Sequence, residues 1–480
     1  MSNAVTLLFN PRSVAVVGAS SNPAKLGSIV LRFLLDHGFA NVFPVNPREG
    51  EVSGLKCYPS VKDVPGEVDL ACILTPASTV PGIIRDCAEK GIKVAVIFSS
   101  GFAEAGNATL QEQVVKAARD AGVRILGPNS QGVVSTSTGL CATFSPSLMI
   151  PNTPLKGVVS VVSQSGAIGG SALTHMWSLK LGVSRFVSTG NEADLEIADF
   201  LDFLAEDEDT KVVAVFLESI KDVERFSSAA ARAISNGKPV VVFWSARSQK
   251  ARKLVQQHTG LNPPEDYKPL FRKLGVLSVE DFEDFFDFPM ALAWQPEASG
   301  NGVAVISTSG AMCSVMVDLC EEYGLEVPEL SREAEDKLRN ILPSFAAPKN
   351  PLDVTGQIIL NISLFKECLK VICREEKVNA LLLTVTTAVD EPAVALARDI
   401  VEAAETVRSF GKPMVVCWLA SRMFSRTSHE VLLEAKIPVY PTPRRAVKAI
   451  KTLVEWGKVK RWKRQGDDAN VASRVKFKTT

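Results

Sequence analysis

Four histidines occur in this chain of 480 residues, and one of them, His258, stands where a group could be transferred. It lies in the run Val255-Gln256-Gln257-His258-Thr259-Gly260, after the helical pattern Lys250–Gln257. The sequence predicts a polar loop there, between a strand and a helix. A neutral imidazole nitrogen is nucleophilic near pH 7 and accepts a phosphoryl group. It needs a partner to fix its tautomer and orientation. Glu218 is the candidate partner, because it ends the apolar run Val212–Leu217. A carboxylate in that position is costly to desolvate, which invites a role.

Two further runs carry chemistry. Ser163-Gln164-Ser165-Gly166-Ala167 and Ser307-Thr308-Ser309-Gly310-Ala311 each join a predicted strand to a predicted helix. The free amides of a helix's first turn bind phosphate. Taken alone, His258 reads as an exposed loop histidine and Glu218 as a carboxylate capping a sheet edge in water. The two serine runs alone read as ordinary capped turns. Together they suit an enzyme that carries a phosphoryl group on imidazole. His37, His175 and His429 sit in or beside helical patterns and read as structural.

The elements that must position these groups alternate strand and helix, which predicts parallel sheets covered by helices on both faces. Short β-branched runs mark buried parallel strands. In the first third they are Ser13–Val17, Val42–Val45, Leu70–Leu74, Val94–Phe98 and Val123–Leu126, with helical patterns such as Ile29–His37 and Pro81–Lys90 between them. Ala142–Gly157 holds three prolines and several small polar residues, so it reads as a linker. A second set follows in Val158–Val162, Ser184–Val187, Val212–Leu217 and Val240–Trp244. A third follows in Val303–Ile306, Ala380–Val385, Met414–Leu419 and Val439–Tyr440. The expected domains are therefore 1–141, 158–296 and 297–457, with a linker at 142–157 and a basic tail at 458–480 that opens with a short helix.

The first of these domains opens with Val17-Gly18-Ala19-Ser20-Ser21-Asn22-Pro23-Ala24-Lys25-Leu26-Gly27 between a strand and a helix. Its glycines are not spaced as GxGxxG, and no acidic residue ends the second strand, which reads Val45-Asn46-Pro47-Arg48. Both features count against a nicotinamide-dependent oxidoreductase. Lys25 and Arg48 suit a nucleotide with extra phosphates. Ser99-Ser100-Gly101-Phe102 and Gly127-Pro128-Asn129-Ser130-Gln131-Gly132 end later strands, where open α/β sheets bind ligands.

Composition narrows the classes. Lys+Arg and Asp+Glu each number 53, a balance that argues against a nucleic-acid-coating protein. No apolar run reaches the length of a bilayer span. The N-terminus shows no signal peptide. The nine cysteines are scattered, without a CxxC pair, and read as buried free thiols of a cytoplasmic protein. No metal site is expected in this chain.

The ordered motifs resemble the α-subunits of the ADP-forming acyl-CoA synthetases, relatives of succinyl-CoA synthetase. The resemblance runs from about Leu8 to Trp456. It rests on Val16-Val17-Gly18-Ala19-Ser20, Pro44-Val45-Asn46-Pro47, Cys57-Tyr58-Pro59-Ser60, Gly127–Gly132, Ser163–Ala167, Ser188-Thr189-Gly190-Asn191-Glu192-Ala193-Asp194, Leu217-Glu218-Ser219-Ile220-Lys221, His258-Thr259-Gly260 and Asn350-Pro351-Leu352-Asp353.

The resemblance implies an α/β chain with a Rossmann-like CoA-binding domain followed by two flavodoxin-like ligase domains. It implies the reaction acyl-CoA + ADP + phosphate ⇌ acid + CoA + ATP, through an acyl phosphate and a phosphohistidine. By resemblance, His258 takes the phosphoryl group and Glu218 holds it. Ser165, Gly166 and Ala167, with Ser309, Gly310 and Ala311, cradle phosphate. The CoA set is Gly18, Ser20, Ser21, Lys25, Gly27, Asn46, Pro47, Lys56, Ser99, Ser100 and Asn129. ADP and Mg²⁺ would bind an ATP-grasp β-subunit, in an α₂β₂ assembly. The sequence departs from the family at Trp244–Ser248, at Leu261–Glu265, at Ser307–Ala311 and at Ser219, where a glycine is usual. A non-catalytic CoA sensor on the same scaffold is the alternative reading.

Overall fold

The computed structural model describes residues 3–259, 261, 263–355 and 363–464, without the side chains of Asn3, His258, Thr259 and Arg464. The chain divides into two compact units, one running to Phe286 and the other starting at Asp287. Each unit is described by itself.

The first unit holds two large sheets and a two-stranded ribbon, Glu51–Val52 with Leu55–Lys56. Strands β1 (Val14–Val17), β2 (Val42–Val45), β3 (Leu70–Ile73), β4 (Val94–Ile97) and β5 (Arg124–Leu126) are parallel in the order β2-β1-β3-β4-β5. All their residues but Arg124 are apolar, and β1, β3 and β4 are buried along their whole length. That burial on both faces is what helices on each side of a parallel sheet require. The order reverses at β1, which leaves a crevice beyond its C-terminal end.

The second sheet has the order β12-β11-β10-β8-β9-β6-β7. Its strands are β6 (Gly132–Ser135), β7 (Leu140–Thr143), β8 (Lys156–Ser163), β9 (Val183–Ser188), β10 (Val212–Leu217), β11 (Val240–Trp244) and β12 (Leu277–Val279). Strands β8 to β12 are parallel, and the hairpin β6–β7 joins β9 antiparallel. The hairpin was not expected: Gly132 and the serines around it hide the strand pattern. Part of the stretch read as a linker, Ala142 and Thr143, therefore belongs to this sheet. The chain order reverses at β8, so the crevice of this sheet lies between the ends of β8, β9 and β10.

The second unit carries β13 (Val303–Ser307), β14 (Leu352–Asp353), β15 (Ala380–Val385), β16 (Met414–Trp418) and β17 (Val439–Tyr440), all parallel, in the order β14-β13-β15-β16-β17. Its reversal falls at β13. The final helix spans Pro443–Arg464 without a break, so Lys458 continues a helix and does not start a short one. Residues 465–480 of the expected tail lie outside the described residues.

All nine cysteines are buried and free, and burial raises the thiol of Cys320 to about 12. Among the described residues, no helix is long and apolar enough to cross a membrane.

One buried charge ties the second sheet together. Arg185 on β9 is 4% exposed. It donates to Ser135 and Ser137 hydroxyls at 2.6 and 2.5 Å and to Asp207 and Asp209 at 3.1 and 2.9 Å. Removing one partner of a buried charge leaves the others unpaired. Arg185→Ala should lower unfolding free energy by about 3–5 kcal/mol, read by chemical denaturation.

Candidate active site

The crevice of the second sheet gathers the chemistry. Strand β8 ends at Ser163, and the helix Gly166–Ser178 begins three residues later with Ser165 as its N-cap. The Ser165 hydroxyl accepts from the Ile168 amide at 3.4 Å. Gly166 has no room for a side chain: a Cβ would sit 2.7 Å from Gln131 Cβ and 3.3 Å from Ser188 Oγ. The Gln131 Oε1 and Ser188 Oγ atoms beside it are buried without a hydrogen-bond partner. Polar atoms left unpaired in such a place are suited to a bound polar group.

Glu218 follows β10, as the sequence indicated, and is half-buried. Its backbone is held by Gln164, whose Oε1 accepts from the Glu218 and Ser219 amides at 2.6 and 3.1 Å. Gln164 Nε2 donates to the Ser219 carbonyl at 2.8 Å and to Glu192 Oε2 at 3.0 Å. Next along this loop, the Ile220 amide donates to the Tyr267 hydroxyl at 3.0 Å. A cavity of about 50 Å³ lies here, lined by Gln164, Glu192, Glu218, Ser219, Lys221 and Leu261 among others.

His258 corrects an expectation. It lies inside the helix Gln249–Thr259, not in a loop. The Ser248 hydroxyl caps that helix by accepting from Ala251 at 3.2 Å, and the Gln, Lys, Arg and Leu residues beyond it are strong helix formers. The helix packs against the turn Ala103–Ala105, and both Ala103 and Leu261 line the cavity just described. The His258 side chain itself, with Gly260 and Asn262, lies outside the described residues. The other three histidines are structural. His37 bonds the Phe33 and Thr153 carbonyls, His175 stacks on Phe286 at 4.6 Å, and His429 is buried against the Ser425 carbonyl.

A larger cleft, about 790 Å³, opens at the reversal of the first sheet. It is lined by Gly18, Ser20, Lys25, Asn46 and Pro47 of the sequence-derived set, together with Arg48. Gly18 has φ +96°, a left-handed conformation that glycine takes without strain. Gly27 lies behind the wall, its missing side chain leaving space for the Gly18 carbonyl. Ser21 is turned to Glu49, at 3.1 Å from its hydroxyl. Lys56 rests over the Tyr58 ring at 5.1 Å. Ser99 donates to the Thr75 carbonyl at 2.5 Å, and Ser100 beside it is exposed. Asn129 lines the other cavity, with Glu218. Gly27, Ser21, Lys56, Ser99, Ser100 and Asn129 are thus outside the cleft lining, with Ser21, Lys56 and Ser99 engaged by partners of their own. The sequence reading missed Pro59, Ser60, Thr75 and Thr79, which do line it; only Pro59 and Ser60 lay in a quoted motif.

In the second unit, Ser309 precedes the helix Gly310–Glu322. The Ser309 amide donates to the Ser307 hydroxyl at 3.1 Å, and Thr308 Oγ1 lies 2.9 Å from Thr386 Oγ1. Asp353 on β14 faces the helix start, since a Cβ on Gly310 would be 2.8 Å from Asp353 Oδ2. The helix start is therefore beside a carboxylate, a feature spacing alone did not reveal.

Three stretches match described families in order. They are a CoA binding domain over residues 12–136, a succinyl-CoA ligase like flavodoxin domain over 156–292 and a ligase-CoA domain over 303–467. The chain is 36% identical over 466 residues to "Acetate–CoA ligase [ADP-forming] I subunit alpha" of Pyrococcus furiosus, covering 95% of this chain and 98% of that one. It is 36% identical over 348 residues to an ADP-forming acetate–CoA ligase of Methanocaldococcus jannaschii, covering 72% of this chain and 48% of that relative. Among solved structures, the dinucleotide-forming acetyl-coenzyme A synthetase 1 of Ca. Korarchaeum cryptofilum, in complex with phosphate and ADP, matches with a TM-score of 0.88. The match is 33% identical in sequence and covers 96% of this chain and 98% of that one. With this fold, these three domains in this order and a subunit alpha matched along nearly its whole length, the chain belongs to the ADP-forming acyl-CoA synthetases, acid–thiol ligases, as an alpha subunit.

Proposed function

We propose that this chain carries the phosphoryl-transfer site of the reaction acyl-CoA + ADP + phosphate ⇌ carboxylic acid + CoA + ATP. Phosphate oxygen attacks the thioester carbonyl, the CoA thiolate leaves, and an acyl phosphate forms. His258 attacks its phosphorus and releases the carboxylate. The phosphohistidine then passes its phosphoryl group to ADP. One observation carries this reading. Gln164, next to the Ser165 N-cap, lines one cavity with Glu218 and with Leu261, which follows the His258 helix, beside the reversal point of one sheet.

Glu218 would hold the imidazole so that the attacking nitrogen stays unprotonated. The first-turn amides at Ser165, Gly166 and Ala167 would hold the phosphate, charge-assisted by the helix dipole. Ser309, Gly310 and Ala311 would form a second such cradle in the other unit. CoA would lie in the cleft of the first sheet, against Gly18, Ser20, Asn46 and Pro47, with Lys25 and Arg48 on its phosphates. Ser21, Gly27, Lys56, Ser99, Ser100 and Asn129 then act behind that wall or beside the phosphoryl site.

ADP and Mg²⁺ belong, in this reading, to a separate ATP-grasp β-subunit in an α₂β₂ assembly. Support comes from length: the chain matches a subunit alpha nearly whole but 48% of the Methanocaldococcus jannaschii relative. The protein works in the cytoplasm, where its nine buried thiols stay reduced.

With acetyl-CoA and radiolabelled phosphate, the protein should take up acid-labile label. His258→Ala should abolish it and lower turnover by at least about a thousandfold. Label that persists in His258→Ala would overturn the assignment. CoA binding without any label would indicate a sensor. Lys25→Ala should weaken CoA binding by about 1.5–3 kcal/mol in calorimetry, the usual loss for a hydrogen bond to a charged group, while leaving the fold intact.

A further inference from the structure

Glu192 is the most deeply buried carboxylate at the crevice, 4% exposed, within the Ser188–Asp194 motif. Its backbone takes φ +52°, a left-handed conformation that a glutamate adopts only under constraint from its surroundings. That constraint is visible on both sides of it. The Asn191 and Ala193 amides donate to the Pro128 and Gly127 carbonyls, each at 2.9 Å. The carboxylate thus points inward. Oε1 accepts from the Ile197 amide and Oε2 from Gln164 Nε2, both at 3.0 Å.

These contacts fix which way the Gln164 amide faces. Its oxygen meets two backbone N–H groups, of Glu218 and Ser219, and its nitrogen meets a carboxylate and a carbonyl. A flipped amide would set donor against donor and acceptor against acceptor. A neutral acceptor would serve a purely structural bond with less desolvation. A carboxylate retained at this depth points to function.

We propose that Glu192 is a positioning residue for phosphoryl transfer, acting through Gln164 to hold Glu218 in the orientation that the phosphorylated histidine requires. The inference rests on the assignment of Glu218 and His258 above. Geometry gives it a pH signature. Burial, with the nearby Glu196 charge, raises the Glu192 carboxyl to about 7, and the bonds from Gln164, Thr189 and Ile197 oppose that rise. The other charged groups around it are Lys221, whose Nζ donates to the Glu192 carbonyl at 2.5 Å, Glu218 across the cavity, and Glu104, bonded to Asn191. Both carboxylate oxygens now accept from N–H donors, so a proton on either one displaces a bond.

The sign differs between activity and stability. The ionised form positions Gln164, so turnover should rise with pH through about 7. The folded-state value is raised above the unfolded one, so this group's contribution to stability is present at low pH and lost as pH rises through about 7. A merely structural carboxylate would give only the second effect.

The test uses the full-length chain with its nucleotide-binding partner subunit, acetyl-CoA and radiolabelled inorganic phosphate. Glu192→Gln should fold with an unchanged KM for acetyl-CoA and label His258 about tenfold more slowly above pH 8, the scale expected for lost orientation. Below about pH 7 the fall in its rate should involve one ionisation fewer than in the unaltered protein. Glu192→Gln should add nothing further to Gln164→Ala, because Glu192 acts only through Gln164. An unaltered rate in Glu192→Gln, or additive losses in the double variant, would overturn the inference. If Gln164→Ala fails to fold, the ionisation count in Glu192→Gln decides. If the unaltered protein takes no label at His258, the phosphohistidine reading itself fails and this inference with it; label there with an indifferent Glu192→Gln sinks the inference alone.

Discussion

The side-chain amide of Gln164 is the point at which the crevice of the second sheet is held together. It has two acceptor lone pairs and two donor hydrogens, and all are used, between the loop after β8, the loop after β9 and the loop after β10. A fully satisfied buried network defines one geometry, because any shift of one loop leaves a polar group unpaired. Ser219 illustrates the point: both its backbone groups bond Gln164 while its buried hydroxyl has no partner. Backbone satisfaction, not the side chain, fixes this segment.

The same architectural solution recurs in three sheets. Each reverses its strand order at the strand that opens the motif: β1 before Gly18, β8 before Ser165, β13 before Ser309. Reversal splits the flanking loops to opposite sides and leaves a crevice at the strand ends. Glycines let backbone approach backbone at these crevices. Gly190 (φ +61°) presses on the carbonyls of Pro128 and Asn129, which brings the β5 loop of the first sheet against the β9 loop of the second. Asp194 reinforces that seam by accepting from Arg124 Nε at 2.8 Å and the Ile125 amide at 2.9 Å. Within the first unit, the loops of the two sheets are thus tied to each other by both backbone and charge.

Two buried charges in this unit show how burial can serve different ends. Arg185 is surrounded by two carboxylates and two hydroxyls, so its charge is compensated and its effect is cohesion. Glu192 is bonded at its oxygens by neutral donors, and burial lifts its pKa to about 7. The first holds a sheet in place. The second is poised to change protonation state near neutral pH.

Much was determined by sequence alone. Alternating apolar runs gave the strands β2, β10 and β11 to the residue, because buried parallel strands leave an uninterrupted apolar signature. The ordered motifs identified the family, and Glu218 was legible as an acid ending an apolar strand. Other features could be decided only by the tertiary structure. The hairpin β6–β7 carries serine, glycine and threonine, and its strand character comes from pairing with β9, a partner far along the chain. The sequence predicts a loop at His258, yet the helix capped at Ser248 runs through it. Lys56, Ser99 and Asn129 do not line the large cleft of the first sheet, because adjacency in a motif does not set the direction of a side chain. Gln164 and Glu192 were inside quoted motifs, but their partnership spans three loops. Sequence specifies which residues stand at the ends of strands; only the packing of the sheet ends decides which of them touch.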